Sequence, residues 1–286
     1  MKKRDANFNR NLKRQVRLTP GYLLLTAWLV FTVVLIGWIV LASLSTTKEI
    51  FSGQLLKSGF HIENYIQVIQ KHKLGLYFAN SLIYSICGCV GTVLIGAPAA
   101  YVLARFTFKF KKFINSTFVM CLSIPSVMII LPLFKLATQF HLTGSRWLLI
   151  ILYIGINVPF SVFFLAGFFM NLPKALEEAA EIDGCTPSKA FWKIMFPLAQ
   201  PGIVTMCIFN FINIWNEYFM ALIFANETSM RTVSTGLQAI VQAMRYSGNW
   251  AGLFAGVVVV FLPTFILYLF LSKRIIAGVT GGAVKE

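Results

Sequence analysis

Long apolar runs alternate with shorter polar connections along this chain. A bilayer core about 30 Å thick needs roughly 20 apolar residues per spanning helix, because every backbone polar group must be satisfied inside the segment. Runs of that length predict six spanning helices, at residues 21–42, 77–103, 113–137, 147–170, 200–224 and 250–272. The predicted fold class is therefore an all-α membrane protein with six transmembrane helices.

The composition agrees with that pattern. The 286 residues are 57% hydrophobic and include 27 Phe, and the mean hydropathy is +0.74, which excludes an ordinary soluble domain. The first run is too long for a removable signal peptide and has no small-residue cleavage site. We divide the chain into a basic N-terminal segment of residues 1–20, a transmembrane domain of residues 21–272 and a C-terminal tail of residues 273–286.

The basic residues give the orientation of the spans. Lys and Arg number 25 against 10 Asp and Glu. Seventeen of them lie in the N-terminal segment, the second and fourth connections and the tail, whereas seven lie in the other three connections. Because Lys and Arg accumulate on the cytoplasmic side, both termini are predicted to be cytoplasmic. The basic excess thus needs no nucleic-acid partner, and we predict a multi-pass protein of a bacterial inner membrane, surrounded by lipid.

The chain lacks the motifs of the common enzyme classes. No Gly is followed by Lys, so there is no phosphate-binding P-loop, and we expect no nucleotide hydrolysis by that route. Neither a G-x-S-x-G elbow nor an H-E-x-x-H motif occurs. The five Cys and three His are scattered, which is a poor ligand set for a metal. We predict no catalytic residue, no metal site and no cofactor in this chain.

The fourth connection, residues 171–198, is a polar island between apolar runs. It predicts two short helices around Gly184, which should end the first helix with φ > 0. Asn171 is a candidate cap for the first helix and Thr186 for the second, which Pro197 is expected to end. The second helix is too apolar for a solvated loop, so we expect burial of its large side chains: Phe191, Trp192, Ile194, Met195 and Phe196.

The residues of this island resemble a known motif. The run LEEAAEIDG at residues 176–184, followed by Phe191, Ile194, Pro197 and Pro201, resembles the EAA loop of permease subunits in ABC importers. Cys185 departs from the small residue, usually Ala, that the motif carries next. The resemblance extends over nearly the whole chain, and residues 80–105 resemble the start of the permease core. Three further stretches resemble the carbohydrate branch, the maltose-permease MalG type: residues 130–134, 215–217 and 278–285.

The resemblance implies a subunit of an ATP-driven importer. With a homologous second permease, such a subunit forms the path for a sugar or oligosaccharide. Two cytoplasmic ATPase subunits, which hold ATP and magnesium, and an extracytoplasmic solute-binding protein complete the assembly. In that family the EAA loop docks on the ATPase, which implies docking roles for six residues of this chain: Glu177, Glu178, Ala179, Ala180, Asp183 and Gly184.

The same resemblance implies partner contacts for two other segments. The outer connection at residues 225–249 corresponds to a loop that projects into the cleft of the binding protein. The end of the tail, residues 281–286, corresponds to a segment that reaches between the ATPase subunits, and its two adjacent glycines permit an extended path.

Several residues admit more than one role. Glu217 is the only acid inside a predicted span, and together with Trp215 and Asn216 it is assigned to the translocation path or the permease interface. Its position towards the outer end of the span also allows a structural role. Glu178 can pair with a basic partner or with Lys174 one turn earlier. Three glycines of the second span are expected to allow close helix packing: Gly88, Gly91 and Gly96.

Other transport and enzyme classes fit the sequence less well. A secondary transporter usually shows inverted repeats and has no use for an EAA loop, and a membrane enzyme needs intramembrane His, Ser or paired carboxylates. Within the ABC class, a permease for glycerol-phosphate or another polar solute remains the alternative to a sugar permease.

The topology is directly testable. A reporter fused after Lys112 or Lys193 should be cytoplasmic, and one fused near Arg146 or Arg245 should be extracytoplasmic, because the basic residues concentrate on the side of the first pair. The measurement is reporter activity in intact cells. A cytoplasmic reporter at Arg245 contradicts the six-span arrangement.

Overall fold

The protein is helical throughout the described part of the chain. The computed structural model describes the backbone of residues 2–283 and the side chains of residues 18–243 and 246–272. One π-helical turn, Phe191–Met195, lies between the ninth and tenth α-helices. The α-helices in chain order are α1 Lys2–Ser43, α2 Thr47–Ser52, α3 Glu63–Gln70, α4 Leu74–Arg105, α5 Lys111–Leu122, α6 Ser126–Gln139, α7 Arg146–Met170, α8 Ala175–Ile182, α9 Pro187–Ala190, α10 Phe196–Leu198, α11 Gln200–Asn216, α12 Phe219–Phe224, α13 Val233–Ser247 and α14 Trp250–Ala283.

Four of these helices are long and apolar enough to cross a bilayer singly. They match the first, second, fourth and sixth predicted spans, with bounds Leu18–Ser43, Leu74–Arg105, Arg146–Met170 and Trp250–Ser272. The described chain reaches six spans if each of two bent helix pairs is counted as one. The predicted all-helical membrane fold is therefore confirmed, with differences in two spans.

The third predicted span, residues 113–137, is wrong as one continuous helix. Helices α5 and α6 meet at 102° across a short break. The break contains Pro125, which has no N–H to donate and disfavours helical geometry at the preceding Ile124. Pro125 itself is extended, with φ −60° and ψ 127°.

The fifth predicted span, residues 200–224, is interrupted near its outer end. Helix α11 ends at Asn216, and Glu217 is extended, with φ −65° and ψ 133°. The Glu217 carboxylate then accepts the backbone N–H groups of Met220 at 2.8 Å and Ala221 at 3.0 Å. These are N–H groups at the start of α12 that have no partner within that helix, so the acid stabilises a second helix start inside the predicted span.

The C-terminal tail does not follow the expected extended path. Helix α14 continues to Ala283, so the glycine pair at residues 281–282 is helical. The last three positions of the chain, residues 284–286, lie outside the described residues.

The chain divides into two compact units. The first comprises residues 1–68 and 244–258, and the second residues 69–243 and 259–286. In the first unit the Asn64 amide donates to the carbonyls of Ser43 and Ser45, at 3.0 and 2.9 Å, which joins α3 to the end of α1. These bonds fix the geometry of the chain where it leaves α1.

The same unit contains a capped turn at Glu49. The Thr46 backbone N–H and the Ser58 hydroxyl both donate to its carboxylate, at 2.8 and 2.7 Å. These bonds favour the charged form and lower the pKa of Glu49 to about 2. Because the pKa is lowered on folding, the contribution to stability is fully present above the ordinary pKa of 4.5 and is lost progressively as the pH falls from there through about 2.

The second unit is built around α4, α7 and α11, and glycines permit their close approach. A Cβ atom at Gly88 would lie 2.6 Å from Ile214 Cδ1, and one at Gly91 would overlap the Ile154 side chain. A Cβ at Gly96 would lie 3.3 Å from Ser161 Cβ. The packing role predicted for these three glycines is therefore confirmed.

Substitution of Gly91 should expose this constraint. Gly91→Leu forces large atoms against Ile154 and should cost about 1–3 kcal/mol, the usual range for overpacking, which lowers the unfolding temperature and the abundance of the purified protein in detergent. Gly155→Leu is the matched control, because nothing lies within 4 Å of a Cβ at Gly155. Equal losses for the two variants would show that the close approach at Gly91 does not limit stability.

Candidate coupling surface and intramembrane polar cluster

The first helix of the cytoplasmic connection, α8, ends as the sequence predicts. Gly184 has φ +70°, its N–H donates to the Glu181 carbonyl at 3.0 Å, and the Cys185 N–H donates to the Ala180 carbonyl at 2.9 Å. These two bonds are those of a Schellman motif. No atom lies within 4 Å of a Cβ at Gly184, so the need for glycine comes from φ and not from lack of space.

The other predicted caps have mixed outcomes. Thr186 caps α9 as predicted, since its hydroxyl accepts the Lys189 N–H at 3.4 Å. Asn171 lies at the end of α7, and Lys174, three positions later, is the residue that directly precedes α8. Pro197 lies in α10, and the second helical segment ends one residue after it, at Leu198, where the chain bends by 74° into α11.

The second half of the connection is packed onto the ends of the spanning helices. Phe191 and Met195 are buried as predicted, and the Phe191 ring centre lies 5.0 Å from that of Tyr101 on α4 and 6.1 Å from that of Phe169 on α7. Trp192 is 45% exposed, so the burial predicted for it is only partial. The connection is thus attached to the transmembrane core by aromatic packing.

Helix α8 has two distinct faces. The outward face carries two exposed carboxylates, Glu178 and Asp183, and the small side chain of Ala179. Ile182 on this face is 86% exposed, the largest apolar exposure on the connection. Sequence reasoning passed over Ile182, although its position four residues after Glu178 places it on the same side of the helix.

The inward face of α8 contacts α4 through an ion pair. Glu177 Oε2 lies 3.2 Å from Arg105 Nε, and the Arg105 side chain is only 6% exposed. The other end of the guanidinium donates to the Leu172 carbonyl at 2.5 Å. Arg105, the last residue of α4, therefore holds that helix to the start of the connection and to α8. The sequence did not reveal this role, because there Arg105 was only one of several cations counted for the topology.

The six predicted docking residues therefore divide between the two faces. Glu178, Ala179, Asp183 and Gly184 are exposed, whereas Ala180 is buried and Glu177 is held by Arg105. No ion pair joins Glu178 to Lys174 in the part of the chain whose side chains are described, so the local pairing considered for Glu178 is not formed.

A second group of polar residues lies between α7 and α11. The Asn213 amide donates to Asn157 Oδ1 at 2.9 Å, and the Asn210 amide donates to Ser161 Oγ at 2.9 Å. Tyr153 donates its hydroxyl to Glu217 Oε2 at 3.0 Å. Hydrogen bonds among neighbours reduce the cost of placing these groups at membrane depth.

A small cavity opens beside this polar cluster. It has a volume of about 40 Å³ and is lined on its polar side by Asn157, Asn213, Tyr153 and Glu217. A polar cavity of this size has room for at least one water molecule, which needs ≳10–15 Å³. Solvated polar groups in a spanning region mark candidate solute pathways.

The three residues assigned to the path or the permease interface occupy different environments. Trp215 is fully buried and its indole N–H donates to the Val260 carbonyl at 3.1 Å, so it packs within the chain. Asn216 is exposed and its amide donates to the Ile212 carbonyl at 2.8 Å. Glu217 is half-buried at the cavity, and its carboxylate caps α12, which is the structural role left open for it.

The described side chains offer no place for a metal ion. No group of three or more His, Cys, Asp or Glu residues in that part of the protein lies close enough together to bind one.

Comparison with known proteins identifies the family. The model of the "binding-protein-dependent transport system inner membrane component" family matches residues 92–277, which includes both the EAA connection and the polar cluster. The chain belongs to this family. It is an inner-membrane permease subunit of the ABC transporter type, and its multi-pass location and all-α permease fold are as the sequence predicts.

Individual relatives cover almost the whole permease. It is 33% identical to the diacetylchitobiose uptake system permease protein NgcG of Streptomyces coelicolor over 93% of this chain and 88% of that protein. It is 31% identical to the trehalose transport system permease protein SugB of Mycobacterium tuberculosis, over 91% and 97% of the respective chains. These relatives are transporter subunits and not enzymes.

A solved structure has the same fold. The permease superposes with a TM-score of 0.79 and 21% identity on a chain of a bacterial ABC transporter involved in the import of the acidic polysaccharide alginate, covering 91% of this chain and 96% of that one.

Backbone geometry at Gly184 should control the orientation of the outward face of α8. Gly184→Val places a β-branched residue at φ +70° and should strain the helix end by about 1–2 kcal/mol or more, which disturbs the orientation of α8 and reduces both transport and retention of the ATPase. Gly184→Asn is the control, because Asn tolerates this region. Membrane abundance should be normal for both variants, and a loss of function in Gly184→Asn equal to that in Gly184→Val would contradict the dependence on φ.

Proposed function

We propose that the permease forms, with a homologous second permease, the translocation path of an ATP-driven importer for a sugar or oligosaccharide. An extracytoplasmic binding protein delivers the solute, and two separate ATPase subunits bind ATP and magnesium. Relatives with permease roles for diacetylchitobiose and trehalose support the carbohydrate assignment. The observation that carries the proposal is the outward face of α8, which is exposed while its inward face is fixed to α4.

The outward face has the properties of a docking surface. Glu178 and Asp183 offer negative charge, and Ile182 offers an apolar side chain that is 86% exposed. A basic groove with an apolar floor on the ATPase is complementary to that combination, because interface charges select the partner and buried apolar groups supply affinity. Ala179 lets the partner approach the helix closely.

Force applied at α8 has two routes to the spanning helices. One is the ion pair between Glu177 and Arg105 at the end of α4. The other is the aromatic contact of Phe191 with Tyr101 on α4 and Phe169 on α7. Because both routes end on helices that pack against each other, a displacement of α8 by the ATPase moves α4 and α7 together, in the manner of packed elements that shift as rigid bodies.

The polar cluster between α7 and α11 is suited to a solute rich in hydroxyl groups. The exposed Asn213 and the buried Asn157 present amide groups, and the Glu217 carboxylate lies at the same cavity. Amides can both donate to and accept from hydroxyls. We assign Asn157, Asn213 and Glu217 to the wall of the path. Asn216 lies on α11 with Asn213 and is also exposed.

A polar solute with a phosphate group, such as glycerol-phosphate, is the second candidate. The observation in its favour is the basic character of the outer connections of the second unit, where the described side chains comprise four cations and one acid: Lys71, Lys73, Arg146, Arg231 and Glu227.

Charge reversal at Glu178 tests the docking role. Glu178→Lys sets like charges against a basic partner, which costs several kcal/mol across an interface, and should abolish uptake of labelled sugar and release the ATPase on purification. Glu178→Gln keeps the shape without the repulsion and should retain partial uptake. Both variants should remain in the membrane, because α8 lies outside the spanning helices.

The outcomes separate docking from folding. Normal uptake with Glu178→Lys would remove the docking role from this carboxylate. Disappearance of the variant from the membrane fraction would instead assign Glu178 to folding. The permease reconstituted without its ATPase serves as the baseline and should show no ATP hydrolysis, because the sequence has no P-loop.

A further inference from the structure

A cavity with both polar and apolar lining residues lies under α13 on the outer side of the permease. It has a volume of about 190 Å³ and lies between α12, the connection that follows it and α13. Its polar lining consists of Asn226, Arg231, Thr235, Gln238 and Gln242, and Leu222 contributes an apolar wall. Since a single water needs ≳10–15 Å³, this volume has room for several water molecules or for a small polar solute.

Four of the polar side chains of this cavity have no partners within the described part of the protein, whereas the fifth, the Thr235 hydroxyl, donates to the Thr232 carbonyl at 3.0 Å. None of the four side chains takes part in a described side-chain hydrogen bond, and Arg231, although half-buried, forms no ion pair there. Arg105, the other partly enclosed arginine of this unit, by contrast forms an ion pair with Glu177 and donates to the Leu172 carbonyl. Three amides and a guanidinium that face one cavity without internal partners are available to a ligand.

The backbone that carries Arg231 is held in place. The Asn80 amide donates to the carbonyls of Ser229 and Arg231, at 2.9 and 3.0 Å. Tyr84 donates to the Met230 carbonyl at 3.0 Å, and the Val233 N–H donates to Ser81 Oγ at 2.8 Å. The site is therefore preorganised from α4, which reduces the entropy lost when a ligand binds.

The surroundings of the cavity are cationic. A second cavity of about 240 Å³ on the other side of α13 shares the wall residue Ala239 and is lined by Lys71, His72 and Lys73. Glu227 is the only acid among the described outer side chains of this unit, and the Ser229 hydroxyl donates to it at 3.4 Å. Such a field attracts anions before they make contact.

We propose that the cavity under α13 is an outer subsite for one anionic sugar or polyol unit, whose carboxylate, sulfonate or phosphate is bound by Arg231 and whose hydroxyls are bound by Asn226, Gln238 and Gln242. The planar guanidinium matches the geometry of such anions through paired N–H donors. The inference rests on the proposed transport function and narrows its solute class. The alternative ligand is an acidic side chain of the binding protein. It would pair with Arg231 but would leave the three amides without hydroxyl partners, so an anionic sugar or polyol fits the cavity better.

The test measures solute binding to the purified complete transporter in nanodiscs, without the binding protein. The probes are glucuronate, glycerol 3-phosphate and glucose, titrated by ligand-observed NMR. Arg231→Gln should weaken the two anions about tenfold or more, because a charge-assisted, paired contact is lost, and should leave glucose unchanged. Gln238→Ala should weaken glucuronate and glucose alike, because the hydroxyl contacts are shared by both.

Two further variants complete the design. Arg231→Lys keeps the charge without the paired geometry and should give intermediate affinity for the anions, and it also serves if Arg231→Gln fails to accumulate in the membrane. Lys48→Gln removes an exposed outer lysine on α2 and should leave all three affinities unchanged.

The alternatives are distinguishable. Unchanged affinity for glucuronate in Arg231→Gln and Arg231→Lys would overturn the subsite. So would a result in which Arg231→Gln weakens only the stimulation of ATPase activity by the binding protein, since Arg231 then binds that protein. If the Arg231 variants bind the anions as wild type does, while the wild-type transporter takes up neutral sugar, the subsite fails and the proposed function stands. A wild-type transporter that takes up no sugar would contradict the proposed function itself.

Discussion

The buried ion pair between Arg105 and Glu177 is the contact on which the cytoplasmic half of the permease depends. A guanidinium that is 6% exposed cannot be left without a carboxylate, because an unpaired buried charge costs about 3–5 kcal/mol. The pair therefore fixes α8 relative to the end of α4. The opposite face of α8, with Glu178, Ile182 and Asp183, remains exposed. The ion pair therefore determines both which face of α8 packs against α4 and which face is accessible to a partner.

Much of the architecture follows from the apolar pattern, and the failures have a physical reason. Pro125 interrupts a predicted span, yet Pro98, Pro159 and Pro263 lie within continuous helices. Proline within a membrane helix is tolerated where neighbouring groups satisfy the freed carbonyls. Sequence alone does not give those neighbours, so the prolines that break helices could not be separated from those that do not.

The candidate site was predictable to a similar extent. Gly184 and Thr186 act through local backbone geometry, which residue type and spacing reveal. Arg105 and the Asn157–Asn213 pair act through contacts between residues more than 50 positions apart. Those contacts depend on how the helices pack, so the sequence could mark Arg105 only as a topological charge and left both asparagines without a role.

The π turn at Phe191–Met195 has a consequence for how the connection can vary between related proteins. A π turn accommodates one more residue than an α-helical turn. Each residue rotates an α-helix by about 100°, as its 3.6-residue turn requires. Because the wider turn absorbs its extra residue, removing a single residue here would restore a regular turn and leave the helix beyond it in nearly its present orientation. Removing a residue from a regular α-helical stretch would instead rotate everything beyond it by that angle. Length differences of one residue between related proteins are therefore expected within this turn and not in the α-helices on either side of it.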